Sequence, residues 1–446
     1  MSFNPAIFRT DFRGVYPTEV NADSHERLAR AFATFFHPKT VAVGMDVRLS
    51  GPELKQAVIT GLTKSGVNVV DIGMIGTDMS YFASAAYDFD ASLIVTASHN
   101  PAEYNGLKFA LKGGAAFTRD NGVNEVCDLA VKNQFADAPV AGTVTQKDIM
   151  EDYLNKCLSF VDISKLKPLR IALNPNFGSV CYSYKKLLEK VKFEPVPLNA
   201  EPDGNFPKGR PDPLRPETRQ ETIDLIKKSD VSFGVAWDAD GDRCFFYDEL
   251  GDFVDGYYIV GILARYFLEL YPKSPIPYDI RQWWATVDVI KEMGGEPVMA
   301  KVGNIYLRSK VREHNAPYGG EMSAHHYFRD FYYCDNGFIP FLIIWQMVSE
   351  GKKLSELAKP FREKYFISGE INFTVKDQKA VLQKVESQYG QYKLDHFDGL
   401  SVDNDREWRF NVRGSNNEPL LRINVEAKSQ ELVDQKVKEL ETLINS

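Results

Sequence analysis

The pattern of hydrophobic and polar residues predicts a strand, a helix and a second strand, in that order, in three stretches of the chain. The first stretch, residues 40–74, contains TVAVGMDV, then PELKQAVITGLTKS, then VNVVDIG. Residues 168–199 repeat the order with PLRIALN, YSYKKLLEKV and FEPVPLN, and residues 276–303 repeat it with IPYD, WATVDVIKEMG and GEPVMAKVG. Any α/β protein contains such βαβ units, but their recurrence favours three related α/β domains with helices on both faces of each sheet.

The pattern changes near the C-terminus. From about Ser368 the chain shows short strands, INFTV, EWRFNVRG and PLLRINVEA, followed by a helix, SQELVDQKVKELETLINS. The segment Leu394 to Glu407 is rich in Asp and Asn, which predicts turns. We therefore expect four domains, with boundaries at 1–150, 151–254, 255–367 and 368–446. Three would be similar α/β domains with mixed sheets and the last a smaller α+β domain.

Composition and charge limit the classes of function. The 446 residues carry 53 Lys and Arg against 61 Asp and Glu, a net charge of −8 without blocks of like charge, which argues against nucleic acid as the main partner. The five scattered cysteines indicate buried thiols in a reducing compartment. The N-terminus lacks a signal peptide pattern, and the longest apolar run, Phe338 to Val348, is too short to span a bilayer. We expect a cytoplasmic protein with no membrane contact and no obligate protein partner.

Each βαβ unit is followed by an apolar strand that ends in a polar loop. The three pairs are ASLIVTA before SHNP, VSFGVAW before DADGDR, and APYGG before EMSAHH. In α/β domains, binding sites collect in the loops at the carboxyl ends of strands. Three equivalent loops can therefore form one shared site.

The first of these loops holds Ser98 and His99. An Asn105–Gly106 dipeptide follows, which is a strong hairpin signal, and it predicts a second strand that brings Lys108 back towards Ser98. A serine near a histidine and a lysine can act as a nucleophile with a nearby proton shuttle. The same four residues, SHNP, could also form a plain turn.

The second loop holds three carboxylates two residues apart, Asp238, Asp240 and Asp242. Such a group repels itself unless a cation binds, and oxygen ligands favour Mg²⁺ or Ca²⁺ over Zn²⁺. The loop resembles an EF-hand in its first three ligand positions and in Glu249 at the twelfth. However, Arg243 occupies the sixth position, where an EF-hand needs glycine, and the flanks read as strands. A solvated acidic turn is the remaining alternative.

Two further loops are weak evidence alone. Glu321 and Ser323 can hold vicinal sugar hydroxyls, and the neighbouring His325 and His326 are better suited to hydrogen bonding than to metal binding, since no matching ligand cluster lies nearby in sequence. In RGSNNEP, residues 413–419, Arg413 offers a bidentate fork for phosphate and the turn can point N–H groups at an anion. A simple hairpin turn would look the same.

Together, TASHNP (96–101), DADGDR (238–243), GGEMSAHH (319–326) and RGSNNEP (413–419) resemble the four loops of the α-D-phosphohexomutase superfamily in their order. The resemblance covers nearly the whole chain and implies four domains around one cleft. It also implies an isomerase that interconverts hexose 6-phosphate and hexose 1-phosphate through a phosphoserine and a hexose 1,6-bisphosphate. The segment 320–337 looks closest to bacterial phosphomannomutases, some of which also use glucose phosphates.

The resemblance also implies roles for individual residues. Ser98 would carry the phosphoryl group, and Mg²⁺ would lie between that group and the three aspartates. The expected neighbours of the transfer are His99, Lys108 and Arg243. The expected substrate-binding residues are Arg13, Asn304, Glu321, Ser323, His325, Arg413, Ser415, Asn416 and Asn417.

Three positions depart from the family pattern. The sequence TDFRG (10–14) keeps Arg13 but loses a tyrosine, and Asn417 stands where threonine is frequent. Asn304 replaces a histidine in Lys301-Val302-Gly303-Asn304; asparagine can hydrogen-bond phosphate but cannot titrate, which favours Lys108 for acid/base chemistry.

Other functions remain open at this point. A phosphoglucosamine mutase would need a partner for the 2-amino group, and none is evident. A metal-dependent glycosyltransferase could use Asp238-Ala239-Asp240 but would have no need of Ser98. A sugar-phosphate sensor could keep the binding loops without turnover.

Overall fold

The computed structural model describes residues 3–8, 11–414 and 420–445. The first α/β region begins with a strand beside a long helix and continues through the first predicted βαβ unit. Its elements are β1 (Phe12–Val15), α1 (Ala22–Phe36), β2 (Thr40–Met45), α2 (Gly51–Lys64), β3 (Asn68–Met74), α3 (Thr77–Ala86), β4 (Ala91–Val95), β5 (Tyr104–Leu111), β6 (Ala115–Ala116), α4 (Val123–Lys132) and β7 (Val144–Gln146).

These strands form a mixed sheet in the order β1-β5-β4-β2-β3-β7, with β6 beside β5. β2 pairs in parallel with β3 and β4, whereas β5 runs antiparallel to both β4 and β1. A core of buried apolar side chains lies between this sheet and the helices α1, α2 and α4. β4 is buried at every position, because both faces of the sheet are covered there.

The second region repeats the plan with shorter elements. These are α5 (Met150–Leu158), β8 (Arg170–Asn174), α6 (Val180–Leu187), β9 (Glu194–Pro197), α7 (Gln220–Lys228), β10 (Phe233–Trp237), β11 (Cys244–Tyr247) and β12 (Phe253–Val254). The strand order is β12-β11-β10-β8-β9, in which β8 pairs in parallel with β9 and β10 while β11 is antiparallel to β10. This sheet is therefore mixed in the same way as the first.

The third region contains α8 (Gly256–Leu270), β13 (Pro275–Asp279), α9 (Trp284–Glu292), β14 (Glu296–Ala300), α10 (Asn304–Glu313), β15 (Tyr318–Gly320), β16 (His326–Phe328), β17 (Cys334–Asp335) and α11 (Ile339–Ser349). β13 pairs in parallel with β14 and β15, and β16 forms an antiparallel pair with β17. The predicted third βαβ unit is thus confirmed, as are the two before it.

The last region follows α12 (Leu354–Arg362) and contains β18 (Phe366–Thr374), α13 (Gln378–Gln388), β19 (Lys393–Asp395), β20 (Leu400–Asn404), β21 (Trp408–Gly414), β22 (Leu420–Ala427) and α14 (Gln430–Asn445). Its strands pair antiparallel in the order β18-β22-β21-β20-β19. The prediction of turns from Leu394 to Glu407 is wrong for half of the segment, because Leu394, Asp395 and Leu400–Asn404 belong to β19 and β20. Asp395, Asp403 and Asn404 are half-buried strand residues, whereas residues 397–399 and 405–407 form the predicted bends and turns.

One face of the last sheet is apolar and the other is polar yet buried. Phe410, Val412 and Ile423 face the core that α13 and α14 cover. The alternate positions of β21 and β22 carry polar side chains that are also buried, namely Arg409, Asn411, Arg413, Asn424 and Glu426. Since successive strand residues point to opposite faces, this face must be satisfied by hydrogen bonds and ion pairs.

The described residues divide into two compact units. Unit 1 covers Met1–Val254 with Ser323–Leu354, and unit 2 covers Asp255–Met322 with Ser355–Ser446. The predicted domain boundaries and the central cleft stay predictions, whereas the fold class of three α/β domains with mixed sheets and a smaller C-terminal domain is confirmed. All five cysteines are buried and unpaired, as predicted. No helix in the described part of the chain is long and apolar enough to cross a membrane.

Candidate active site

Ser98 lies in the loop between β4 and β5 of unit 1, at the carboxyl end of a buried strand. Its backbone adopts a φ of 52°, and its side chain is almost fully buried. The hydroxyl Oγ donates to Asp238 Oδ2 over 3.4 Å and lies 3.3 Å from His99 Nδ1. A positive φ is costly for a residue with a Cβ, so the surrounding structure must hold this conformation.

The hairpin after Ser98 forms, but its turn is not where the sequence predicted. Asn105 and Gly106 lie inside β5, and the turn is made by the residues before Tyr104. A Cβ on Gly106 would come within 2.0 Å of the Phe12 carbonyl oxygen on β1, so the glycine permits close strand pairing here. The register still places Lys108 opposite Ile94 on β4.

The three predicted aspartates lie together in the loop from β10 to β11. Asp238, Asp240 and Asp242 are each buried, and one carboxylate oxygen from each lies within 4.8 Å of the others. Oδ1 of Asp240 and Oδ1 of Asp242 are buried without a hydrogen-bond partner among the described residues. Buried, unpaired carboxylate oxygens fit a hard cation. The flanking elements are strands, which argues against the EF-hand alternative.

Backbone contacts hold this aspartate loop in place. Thr77 N–H donates to the Asp240 carbonyl and Ser179 N–H donates to the Ala239 carbonyl, both over 2.9 Å. A Cβ on Gly337 would come within 2.3 Å of the Gly241 carbonyl oxygen, so the chain passes the loop at close range there. The carboxylates therefore project from a loop that is fixed by three separate segments of unit 1.

Lys108 and Arg243 supply positive charge to the cluster. Lys108 Nζ donates to Asp240 over 2.7 Å and to Asp242 over 3.0 Å. Burial alone would lower the pKa of Lys108, but these two carboxylates outweigh it and raise the pKa well above its ordinary value. Arg243 Nε donates to Asp238 over 2.9 Å, and the same partner raises the pKa of Arg243 against burial. Both side chains are cations in this arrangement.

The pKa values of the three carboxyl groups shift in different directions. Burial raises the pKa of the Asp238 and Asp242 carboxyls, since the charged form loses solvation. Burial acts in the same direction at Asp240, but Lys108 and a hydrogen bond from Thr77 outweigh it and hold the pKa of Asp240 below its ordinary value. Three carboxylates at this spacing favour a bound cation in addition to Lys108.

His99 and Arg13 border the serine loop. Burial lowers the pKa of His99 well below its ordinary value, and the nearby Arg243 and Arg210 act in the same direction, so this imidazole is neutral. Arg13, on β1, donates to Asp11 over 2.6 Å and to the Ala97 carbonyl over 3.4 Å. His99 therefore lies beside the Ser98 hydroxyl, and Arg13 contacts the residue that precedes Ser98.

The structure adds Asp335, a residue that the sequence did not single out. Its Oδ2 lies 2.8 Å from His325 Nδ1. The two side chains form a group with Asp242 in which the possible ligand atoms lie within 4.8 Å of one another. Asp335 is ninety-three positions from Asp242 in sequence, and only the β16–β17 hairpin makes it the neighbour of His325. Ser323 belongs to the same segment of unit 1 and is half-buried.

Unit 2 holds the remaining predicted residues. Glu321 is buried, and its carboxylate lies 3.6 Å from Arg281, which also forms a 2.8 Å ion pair with Asp279. Asn304 is the first residue of α10 and follows Gly303, whose φ is 127°. The N–H groups of Tyr306 and Leu307 donate to the Gly303 carbonyl, and the positive end of the helix dipole at this position suits an anion.

Arg413 differs from the sequence prediction in its setting. It is not part of an exposed turn but lies within β21 and is 7% exposed. Its Nη2 donates to Glu370 over 2.7 Å, while its Nε is buried without a hydrogen-bond partner among the described residues. A guanidinium that is held by one ion pair and keeps a further N–H donor can bind an anionic ligand. The predicted partners Ser415, Asn416 and Asn417 lie outside the described residues.

Comparisons with known proteins agree with this geometry. A "Phosphomannomutase" of Vibrio cholerae is 42% identical over 451 residues that cover 97% of each chain. "Phosphohexose mutases" of Xanthomonas campestris are 42% identical over 99% of each chain. A solved phosphoglucomutase/phosphomannomutase family protein of Burkholderia thailandensis superposes with a TM-score of 0.89 at 29% identity, covering 99% of this chain and 97% of that one.

The sequence models of the phosphoglucomutase/phosphomannomutase family match in order along the chain. The alpha/beta/alpha domains I, II and III match residues 6–137, 151–251 and 255–365, and the C-terminal domain matches residues 370–443. The resemblance drawn from the four loops is therefore confirmed. The chain belongs to the phosphoglucomutase/phosphomannomutase family.

Proposed function

We propose that this chain interconverts mannose 6-phosphate and mannose 1-phosphate, and the corresponding glucose phosphates, through a phosphoserine at Ser98. The observation that carries the proposal is the contact between the Ser98 hydroxyl and Asp238, 3.4 Å apart within the buried aspartate cluster. A nucleophile at a strand end beside fixed charges is what phosphoryl transfer requires. The relatives at 42% identity support a hexose phosphate as substrate.

In the first half of the reaction, the bond between phosphorus and Ser98 Oγ breaks as a bond forms to the free hydroxyl of the sugar phosphate. The product is a hexose 1,6-bisphosphate. In the second half, its other phosphoryl group moves to Ser98 Oγ, which leaves the isomeric monophosphate. The sugar hydroxyl loses a proton as it attacks, and His325, oriented by Asp335, is an imidazole of the same cluster that can accept it and return it to the sugar oxygen released in the second half. Ser98 Oγ takes up a proton when its phosphoryl group leaves and loses that proton when the second group arrives.

Charged residues of unit 1 would stabilise the transferred group. Lys108 and Arg243 are buried cations that can donate to phosphoryl oxygens. His99 lies beside the Ser98 hydroxyl, which would carry the phosphoryl group. Because Lys108 is held as a cation by two carboxylates, charge stabilisation suits it better than the acid/base role that the sequence favoured.

The donor set supports Mg²⁺ as the cofactor. Asp238, Asp240 and Asp242 would hold it, together with an oxygen of the phosphoryl group on Ser98. Two of the carboxylate oxygens are buried without a partner in the described part of the chain, and such oxygens suit a hard divalent cation. When bound, Mg²⁺ supplies positive charge that stabilises the phosphoryl oxygens.

Substrate recognition would fall to the other predicted residues. Glu321 and Ser323 would hold sugar hydroxyls, while Arg413 would bind the phosphate that is not transferred. Asn304 at the start of α10 and Arg13 on β1 would complete these contacts. The unused Nε–H of Arg413 supports its role, since a phosphate can accept from it without displacing Glu370.

Kinetics on alternative substrates tests the proposal. The value of kcat/KM should be highest for mannose or glucose phosphates and much lower for glucosamine phosphates, since the sequence shows no clear partner for a 2-amino group. A preference for glucosamine phosphate would replace the proposal with a phosphoglucosamine mutase. Binding of hexose phosphate without turnover would instead indicate a sensor. A glycosyltransferase is disfavoured, because that chemistry has no need of Ser98.

A further inference from the structure

Arg48 directs four of its five guanidinium N–H donors at the segment that carries Ser98. It lies between β2 and α2 and is fully buried. Its Nη1 donates to the carbonyls of Pro101 and Tyr104 over 2.6 and 2.8 Å. Its Nη2 donates to the carbonyls of Ser98 and Asn100 over 2.6 and 2.7 Å.

The fifth N–H of the guanidinium completes a second link to the same loop. Arg48 Nε donates to Asp46 Oδ2 over 3.2 Å, and that oxygen also accepts from Thr96 Oγ1 over 2.6 Å. The Thr96 hydroxyl in turn accepts from the Ser98 N–H over 2.9 Å. All five guanidinium N–H donors are therefore used, and Ser98 is held through both its carbonyl and its N–H.

We propose that Arg48 is a positioning residue that fixes the backbone of Ser98 in the conformation from which phosphoryl transfer occurs. Ser98 needs such support because its φ of 52° is unfavourable for a residue with a side chain. Three of the four carbonyls belong to the turn between β4 and β5, and the fourth belongs to Tyr104, the first residue of β5. Without Arg48 the buried Ser98 carbonyl would lose this partner, and the three half-buried carbonyls would lose theirs. The inference rests on the proposed role of Ser98.

The surroundings of Arg48 indicate that it is held rigidly. The Phe206 ring lies with its centroid 5.1 Å from the guanidinium carbon. A Cβ on Gly204 would come within 2.3 Å of the Val47 carbonyl oxygen, so residues 204–206 pass close over the segment that carries Arg48. A planar fork fixed in this way can hold four carbonyls at once, which a lysine ammonium with three donors on one atom cannot.

Arg48→Lys tests the inference while keeping the charge. The rate of phosphoryl transfer from hexose 1,6-bisphosphate to Ser98 in a single turnover should fall by roughly 10- to 100-fold, since small misplacement of a reacting group has effects of this size. The KM for hexose phosphate should change little, because Arg48 does not contact the proposed sugar or phosphate residues. Arg30→Lys is the matched control, as Arg30 is a largely buried arginine of α1 that pairs with Asp137.

The outcomes separate positioning from stability alone. Slower transfer at an unchanged melting temperature supports the inference, whereas a wild-type transfer rate per folded chain overturns it at any melting temperature. If Arg48→Lys does not fold, Thr96→Val decides, since it removes only the hydroxyl that links Asp46 to the Ser98 N–H; slow transfer supports the inference and normal transfer overturns it. A wild-type protein that never phosphorylates Ser98 would refute the proposed function itself.

Discussion

Lys108 Nζ lies 2.7 Å from Asp240 Oδ2, so a buried ammonium and a proposed metal ligand share one ion pair. The lysine comes from the middle of β5 and the carboxylate from the loop after β10, which are 132 positions apart in sequence. Lys108 therefore partly neutralises the aspartate cluster before any metal binds. It also competes with a metal for the same carboxylates.

Lys108→Gln should separate these two effects. We expect kcat to fall by about 100- to 1,000-fold, because the transferred phosphoryl group loses a fixed positive charge. The affinity for Mg²⁺ should not weaken, since one competitor for Asp240 and Asp242 is gone. Steady-state kinetics and a Mg²⁺ titration check both expectations. Lys112→Gln, at an exposed lysine just after β5, should leave both unchanged.

Metal removal distinguishes the aspartate cluster from an EF-hand. Activity should disappear in EDTA and return with Mg²⁺, while Ca²⁺ should support little turnover because of its looser coordination. Asp240→Asn should lose most activity at any Mg²⁺ concentration. Glu249→Gln should have no effect on Mg²⁺ dependence, whereas an EF-hand would lose affinity with this change. Full activity of the wild type in EDTA would contradict the metal site.

Glu370 should make the stability of the protein depend on pH in the acid range. Burial alone would raise its pKa, but Arg281, Arg413 and Arg422 outweigh it and lower the pKa from 4.5 to about 2. A carboxyl with a lowered pKa in the folded state stabilises the protein above its ordinary pKa. This contribution is lost as the pH falls from about 4.5 towards 2.

Glu370→Gln should therefore lower the free energy of unfolding at pH 7 by on the order of 3 kcal/mol. The difference from the wild type should shrink as the pH falls below 4.5. Denaturant unfolding between pH 7 and pH 3 measures it. Glu313→Gln, at an exposed glutamate paired with Lys310, should change little. A difference that stays constant over this range would contradict the assigned ion pairs.

Arg413→Lys tests the proposed phosphate contact. Loss of one charge-assisted hydrogen bond should lower kcat/KM by roughly 10- to 100-fold, equivalent to about 1.5–3 kcal/mol. Because Arg413 is buried in β21 and paired with Glu370, some loss of thermal stability is also expected, unlike for an arginine in an exposed turn. Steady-state kinetics beside a melting curve separates the two effects. A normal kcat/KM would remove Arg413 from the substrate site.

The sequence predicted the parts of the fold that depend on local periodicity. The three βαβ units and the strand before each polar loop follow from alternating apolar residues, and Asp238, Asp240 and Asp242 are close because they share one loop. Gly106 was misread because glycine serves both turns and close strand packing. Only the folded chain reveals that a Cβ there would meet the Phe12 carbonyl.

Contacts between distant segments could not be predicted in this way. Asp335 reaches His325 through a hairpin, and Arg48 reaches the serine loop from the loop between β2 and α2. The sequence did carry a signal for Arg48, since Asp46 and Arg48 are polar residues just beyond the carboxyl end of β2, where α/β sites collect. That signal does not say which loop the arginine contacts.

The most direct test follows a labelled phosphoryl group. Dephosphorylated protein is incubated with isotopically labelled hexose 1,6-bisphosphate and Mg²⁺, then digested for peptide mass spectrometry. Our account predicts label on the peptide that contains Ser98, transfer of that label to added hexose monophosphate, and neither event in Ser98→Ala. Wild-type turnover by Ser98→Ala, or label on another residue that passes to the sugar, would contradict it.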